Sequence, residues 1–277
     1  MNLIVTSAED AASMNIRARL LEMADWKEVG EFEGSPVLRH GSYDMILIKE
    51  IHLSRELLDR DVEAGLGRKY RTMIFASRHR SESGLRTLTV HPLGNYGTAD
   101  FGGRPGVLVP TDPGLMTQAL LLLRKHGEGL GFGISFETTH HGPYLETPAF
   151  FIEIGSGPDA WPEPAPAKAI AKVLLGLEGE SITKDDAIGI GFGGGHYAPR
   201  HTDLVCRMRA SLGHMVPDYA VGRVDGAMLD QIIEKTPGAS FAYFHKKAVK
   251  QPRRGELEAM LAERGVRSVR SDALVPR

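Results

Sequence analysis

Short apolar runs rich in β-branched residues alternate along this chain with longer stretches whose apolar positions recur at helical spacing. The runs NLIV, DMILI, RTMIFA, LRTLTV, GFGISFE, AFFIEI, DAIGIGF and SFAYF predict strands. Residues 11–23, 115–125, 165–177 and 255–264 predict helices. Strands interleaved with helices predict an α/β fold, with a mixed, largely parallel central sheet and helices on both faces. The strands clustered between residues 45 and 90 predict an antiparallel or mixed portion. The Gly/Pro-rich stretch GSGPDAWPEPAPA at 155–167 is the best linker candidate, but Trp161 within it favours docking on the body. The chain is therefore read as a single domain over residues 1–277.

Composition narrows the class. Hydrophobic residues at 42% and charged residues at 25% supply a core and exclude disorder. The first residues, MNLIVTSAEDAAS, lack the basic and long apolar regions of a signal peptide. No stretch approaches the roughly 20 apolar residues of a membrane span. A lone cysteine, Cys206, excludes an internal disulfide and a thiolate metal cluster, and TDLVCRMRA reads as a helix face holding an inert thiol. A reducing cytoplasm is expected.

The net charge of −2 is unevenly spread: residues 245–277 hold nine Lys/Arg against four Asp/Glu, and residues 68–80 hold five basic residues and no acid. Such patches suit a polyanion, although charge alone favours a solvated helix face.

Polar clusters follow several predicted strands: Ser77-Arg78-His79, His91 to Asn95, Glu137-Thr138-Thr139-His140-His141-Gly142-Pro143, Glu153, and Gly193-Gly194-Gly195-His196-Tyr197. In parallel sheets ligand sites gather at the carboxyl ends of strands, so these five segments are expected at one sheet edge. Glu137, His140 and His141, with His91 and His196, supply enough nitrogen and oxygen ligands for zinc. In an extended strand His140 and His141 point oppositely, and only a turn at residues 140–143 lets both imidazoles converge. Without a metal, the same groups can do general acid–base work, with Glu137 or Glu153 fixing an imidazole tautomer. Gly189-x-Gly191-x-x-Gly194 matches a dinucleotide fingerprint, but Pro199 interrupts the helix such a site needs. The glycines instead predict a loop that a bulky ligand can approach closely, with backbone N–H groups available to an oxyanion.

SAEDAASMNI, FASRHRSESG, TLTVHPLGNYG, FETTHHGP, TPAFFIEIGSGPDAW and IGFGGGHYAPRHTD, in this order across most of the chain, resemble the D-aminoacyl-tRNA deacylases of archaea and plants. The resemblance implies a monomeric fold similar to the phosphorylase/hydrolase-like and peptidyl-tRNA hydrolase folds, ester hydrolysis at the 3′ end of tRNA charged with a D-amino acid, and a zinc requirement. It carries over His79, His91, Asn95, Glu137, His140, His141, Glu153 and His196 as motif positions. His201 departs from the pattern, where an aromatic residue is expected.

The expected catalytic groups are His140, His141, Glu137 and His196. Substrate is expected at His79, Asn95, Gly193, Gly194, Gly195, Lys246, Lys247 and Lys250, and zinc at His91, His140, His141 and Glu153. Two other functions compete: a peptidyl-tRNA hydrolase or zinc amidohydrolase on the same fold, and a non-catalytic RNA-binding protein. The histidine-rich segments tell against the latter, since RNA binding alone needs Arg, Lys and stacking aromatics.

Overall fold

The computed structural model describes residues 1–81, 84–179 and 181–277. The first half of the chain runs β1 (Asn2–Ser7), α1 (Ala11–Met23), β2 (Lys27–Phe32), β3 (Ser35–His40), β4 (Tyr43–Ile48), α2 (Leu58–Leu66), β5 (Met73–Arg78) and β6 (Thr87–Pro92). It continues through α3 (Pro113–Gly127), β7 (Gly133–Phe136), β8 (Ala149–Gly155) and α4 (Pro164–Gly176). Among the described residues these strands form one eight-stranded sheet in the order β2-β3-β4-β1-β5-β8-β6-β7. β4, β1, β5 and β8 are parallel, while β6 is antiparallel to β8 and β7 follows β6.

The central strands β4, β1, β5, β8 and β6 are buried on both faces, which is why most of them read as apolar runs. Ile74, Ala76, Leu88, Val90, Phe150, Ile152 and Ile154 pack under α1, α3 and α4. On the opposite face Phe75 and Phe151 pack with Leu58 and Val62 of α2. Further along that second face the apolar set gives way to Ser77, Thr89, His91 and Glu153, all buried. Strand alternation and register put these four on one surface, since Glu153 pairs with Ser77 and Thr89, and His91 with Phe151.

The remaining chain runs β9 (Ala187–Phe192), α5 (Pro199–Arg207), β10 (Ala210–Val216), α6 (Asp218–Val221), α7 (Gly226–Glu234), β11 (Phe241–Phe244), α8 (Arg253–Glu263) and β12 (Arg267–Val269). Its strands make a separate, all-parallel sheet, β10-β9-β11-β12. Leu212, Met215 and Phe241 join the core of the first sheet. Ile190, Phe192, Ala242 and Phe244 pack against Leu229 and Ile232 of α7 and Leu257 and Leu261 of α8.

The mixed α/β architecture with helices on both faces stands as expected, but the strands divide between two sheets instead of one. The 155–167 stretch is docked: Trp161 is 9% exposed and its indole donates to the His79 carbonyl at 3.1 Å. Pro199 does not interrupt a helix but opens α5, at the one turn where a missing N–H costs nothing. No helix among the described residues is long and apolar enough to cross a membrane.

Candidate active site

Where the two sheets meet, their backbones are stitched together. Residue 137 bridges to residue 197, Thr138 N–H donates to His196 O at 3.0 Å, Ala198 N–H to Phe136 O at 2.9 Å, and Thr139 N–H to Met215 O at 2.8 Å. This seam carries Glu137, His140 and His141 to one side of His196 and Tyr197.

Glu137 and Glu153, 0% and 2% exposed, form the centre. His79 Nδ1 lies 3.4 Å from Glu137 and 3.5 Å from Glu153; His91 Nε2 lies 3.5 Å from Glu153. His140 Nε2 and His196 Nε2 lie 3.5 and 3.3 Å from Glu137 Oε2. Ring centroids of His140 are 4.2 Å from His91, 4.1 Å from His141 and 4.6 Å from His196. The turn expected at residues 140–143 is present: His141 has φ of 30° and Gly142 of 98°, and the left-handed bend brings both imidazoles together.

The location differs from expectation. Because β6 and β7 run against β8, their carboxyl ends cannot share an edge with those of β5 and β8. Glu153 lies within β8 and not in a loop. The cluster therefore spreads over a sheet face and across the seam.

Burial disfavours charge on both carboxylates, yet the histidines reverse this: His79 and His91 bring Glu153 down to about 2, and His196 and His79 lower Glu137. Burial likewise depresses His79 and His91, but Glu153 and Glu137 outweigh it and raise both. His140 and His141, buried among other imidazoles, are pushed well below the ordinary histidine value and stay neutral.

The donor set fits a cation. His140 Nδ1 is 2.7 Å from the Thr138 carbonyl, which fixes the proton there and leaves Nε2 as a bare lone pair facing Glu137 Oε2. His91 Nδ1 is held in the same way by Pro92 O at 3.1 Å, turning Nε2 toward Glu153 Oε2. His91 Nε2, both Glu137 oxygens, His140 Nε2, His141 Nδ1 and Glu153 Oε2 are buried without a hydrogen bond among the described residues. Three overlapping groups have ligand atoms within 4.8 Å of one another: His91, His140 and His141; His79, Glu137 and His196; and His91, Glu137 and Glu153. Oxygen and imidazole donors in such groups suit zinc.

Around this centre the other expected residues part ways. Asn95 spends its amide on the Gly102 carbonyl at 3.0 Å and so shapes the rim. In the glycine loop Gly193 N–H donates to Val216 O and Gly194 N–H to Asp218 Oδ1, so neither serves an oxyanion. Gly195 and His196 keep N–H groups without an acceptor among the described residues. Gly189 and Gly191 answer to packing, since a Cβ there would stand 2.3 Å from the Phe241 ring and 2.4 Å from the His201 ring. His201 itself is fully buried, edge-on to Tyr243. Lys246 and Lys247 line a cavity of about 290 Å³ with Arg200, Arg254 and Arg270, and no carboxylate lines it; Lys250 lies outside.

Tyr197, whose hydroxyl is 3.3 Å from His79 Nε2, was read from the sequence only as a member of the glycine cluster, without a role, and Asp218 was not singled out. Tyr197 stands beside His196 in the glycine loop, so its position was the available signal. Asp218 had none.

The family model described as D-aminoacyl-tRNA deacylase matches residues 66–269. The chain belongs to the D-aminoacyl-tRNA deacylase family. It is 36% identical to the D-aminoacyl-tRNA deacylase of Methanosarcina acetivorans, over 98% of this chain and 92% of that protein. It is 32% identical to that of Thermococcus kodakarensis, over 98% and 100%. Among solved structures it is similar to a conserved protein of unknown function, with TM-score 0.90, 30% identity, and 99% and 96% of the two chains covered. The segments carrying Glu137, His140, His141, Glu153 and His196 all lie inside the stretch that the D-aminoacyl-tRNA deacylase model matches.

Proposed function

We propose that this protein hydrolyses the ester joining a D-amino acid to the 3′ end of tRNA, releasing free D-amino acid and tRNA, with zinc as its cofactor. The observation that carries this reading is the bare Nε2 of neutral His140, turned toward the ionised, buried Glu137 at 3.5 Å, with His91 Nε2 set at the same distance from Glu153. Two lone pairs facing each other repel unless a cation or an acidic proton stands between them. The family membership supplies the substrate class.

His91, His140 and His141, whose ligand atoms lie within 4.8 Å of one another, would hold zinc together with Glu153, which shares a second such set with His91 and Glu137; His79, Glu137 and His196 form a third. Bound there, the metal supplies a water of lowered pKa and a polarised ester carbonyl. Glu137 and Glu153 stay ionised at neutral pH and orient the imidazoles around them. Three of these four ligands suffice for a catalytic metal, and whichever of His140 or His141 is left free is neutral and able to take a proton from water. Gly195 and His196 present free N–H groups to the developing oxyanion. The alcohol of the terminal ribose is a better leaving group than an amine, so one base and one oxyanion contact suffice. Lys246, Lys247 and Arg200 hold the phosphates of the acceptor stem. We assign the protein to the cytoplasm, where charged tRNA resides, as a monomer of one domain whose two sheets share an apolar core.

The test is hydrolysis of D-tyrosyl-tRNA, L-tyrosyl-tRNA and N-acetyl-L-tyrosyl-tRNA by metal-free and zinc-restored protein. The D substrate alone should be cleaved, and zinc should restore the rate and raise Tm, because a ligand that binds only the native state stabilises it. Faster cleavage of the N-acetylated L substrate would make the protein a peptidyl-tRNA hydrolase. A Tm indifferent to zinc would remove the metal.

A further inference from the structure

The chain has 10 Phe, 7 Tyr and 2 Trp, and all but two are buried or half-buried. The exceptions, Phe101 and Tyr219, are 69% and 68% exposed, and each sits on a segment held against a loop of the site. Exposing a large aromatic ring forgoes its burial free energy, and two such rings on segments tied to one site ask what covers them.

Phe101 is held beside the His140–His141 turn by its neighbours. Asn95 Nδ2 donates to Gly102 O at 3.0 Å and Gly103 N–H to Glu56 Oε1 at 3.0 Å. A Cβ on Gly103 would lie 2.5 Å from the carbonyl oxygen of Gly142, so the two backbones are in contact. Tyr219 is held beside the glycine loop, because Asp218 N–H donates to Gly194 O at 2.9 Å and its carboxylate accepts the Gly194 N–H. Arg223 joins the two supports: its Nη1 comes within 3.1 Å of where a Cβ on Gly97 would stand, and its backbone N–H donates to Ala220 O in α6. The guanidinium is exposed and pairs with no carboxylate among the described residues.

We propose that Phe101 and Tyr219 stack on the unpaired bases at the 3′ end of the substrate RNA, with Arg223 on the phosphate between them. The inference rests on the deacylase reading and says how the single-stranded end is seated. Stacking is indifferent to base identity and needs only a π-face, which suits an end that every tRNA shares. It also gives the Asn95 amide a purpose, since its bond to Gly102 O fixes the loop that presents Phe101. The phosphate cavity at Lys246 and Lys247 holds the stem, and the aromatic pair holds the end that carries the ester.

The experiment uses uncharged tRNA with a fluorescent purine in place of its terminal adenine, whose emission is quenched by stacking, and in parallel KM and kcat on D-tyrosyl-tRNA. Wild type should quench the probe. Phe101→Ala and Tyr219→Ala should relieve quenching and weaken binding by about 5- to 150-fold for each base released, with kcat held. Phe101→Leu should behave as Phe101→Ala, since it keeps the bulk without the π-face, and Tyr219→Phe should behave as wild type. Unchanged quenching and binding in both alanine variants overturns the stack. The fluorescence arm needs no ester cleavage, so a wild type that quenches the probe but spares D-tyrosyl-tRNA sinks the deacylase reading and leaves the stack standing.

Discussion

Glu137 and His196 meet at 3.3 Å, Oε2 to Nε2, across the seam between two sheets, and the chain segments on which they sit are hydrogen-bonded to each other. The carboxylate lies at the end of β7 and the imidazole follows β9, so neither sheet alone contains the site. Backbone pairing at residues 136–138 and 196–198 fixes the approach, which gives a pre-set constellation instead of one assembled by flexible loops.

His140→Ala and His141→Asn should each lower turnover on D-tyrosyl-tRNA by about 100-fold or more. Asparagine is chosen at 141 because it tolerates the left-handed backbone that His141 adopts there. Thermal unfolding of the zinc-free variants should match that of the zinc-free wild type. A variant with near-native turnover would mark its histidine as packing only.

Acid should destabilise the protein through two buried histidines. His201 is pushed down to about 3 by burial and by the nearby His245. His214 is pushed down to about 3 by burial, against the opposing pull of the Val109 carbonyl. An unfolded chain titrates both near the ordinary value of about 6.5. Between pH 6.5 and 3 the unfolded chain binds a proton at each site that the native state refuses, so stability is complete above pH 6.5 and falls below it. Each histidine contributes a slope approaching about 1.4 kcal/mol per pH unit. Urea midpoints at pH 7 and pH 5 measure it, and His201→Phe should reduce the fall. An unaltered pH dependence in that variant would mean His201 does not resist protonation.

The lysine-lined cavity makes a quantitative claim about salt. Replacing Arg200, Lys246 and Lys247 with Ala should weaken tRNA binding and flatten log Kd against log salt by roughly 0.7–0.9 for each phosphate no longer neutralised. Lys250, outside the cavity, is the comparison. An unchanged slope in the triple variant would move the footprint away from this face.

Much of the site was legible because its residue types are costly to bury and stand close together in sequence. Glu137, His140 and His141 within five residues, and a turn signal in Gly142-Pro143, sufficed to expect converging imidazoles. Strand direction was legible only in part: an antiparallel or mixed portion was expected between residues 45 and 90, and β6 does run antiparallel to β8, but the partner was not. Nothing local in LRTLTV says that the strand it opposes is β8, and that pairing moves His91 from a sheet edge to a face. The second sheet was hidden for a similar reason, since ASLGHMV contains two polar residues that only tertiary partners satisfy. His214 there sits 3.1 Å from Thr139 Oγ1 and 3.0 Å from Val109 O. β2, KEVGEF, is mostly exposed and lacks the apolar alternation that would announce it.

The chirality of the substrate is where the glycine loop should matter, and the structure says which glycine to use. L-aminoacyl-tRNA is abundant, and a pocket that merely accommodates one side chain better than another discriminates weakly, by about 1–3 kcal/mol. Strong selection needs the α-amino group, carbonyl and side chain fixed together against a close wall. Gly193 and Gly194 are poor probes of that wall. Both have positive φ, 86° and 126°, and at Gly193 a Cβ would stand 2.9 Å from Ala248 and Val249, so either substitution perturbs the backbone itself. Gly195 has no positive φ, is exposed, and offers open space to a Cβ. Gly195→Ala should therefore fold as wild type and project one methyl group into the approach of the substrate's α-carbon, beside the N–H that awaits the oxyanion. The expected result is a loss of about 10-fold or more in the single-turnover rate on D-tyrosyl-tRNA, with tRNA affinity kept, since the distant cations supply it. Rates on both enantiomers and binding of uncharged tRNA separate crowding from weakened affinity. An unaffected D rate would mean that the substrate's α-carbon does not come near this loop and that another wall of the site reads its hand.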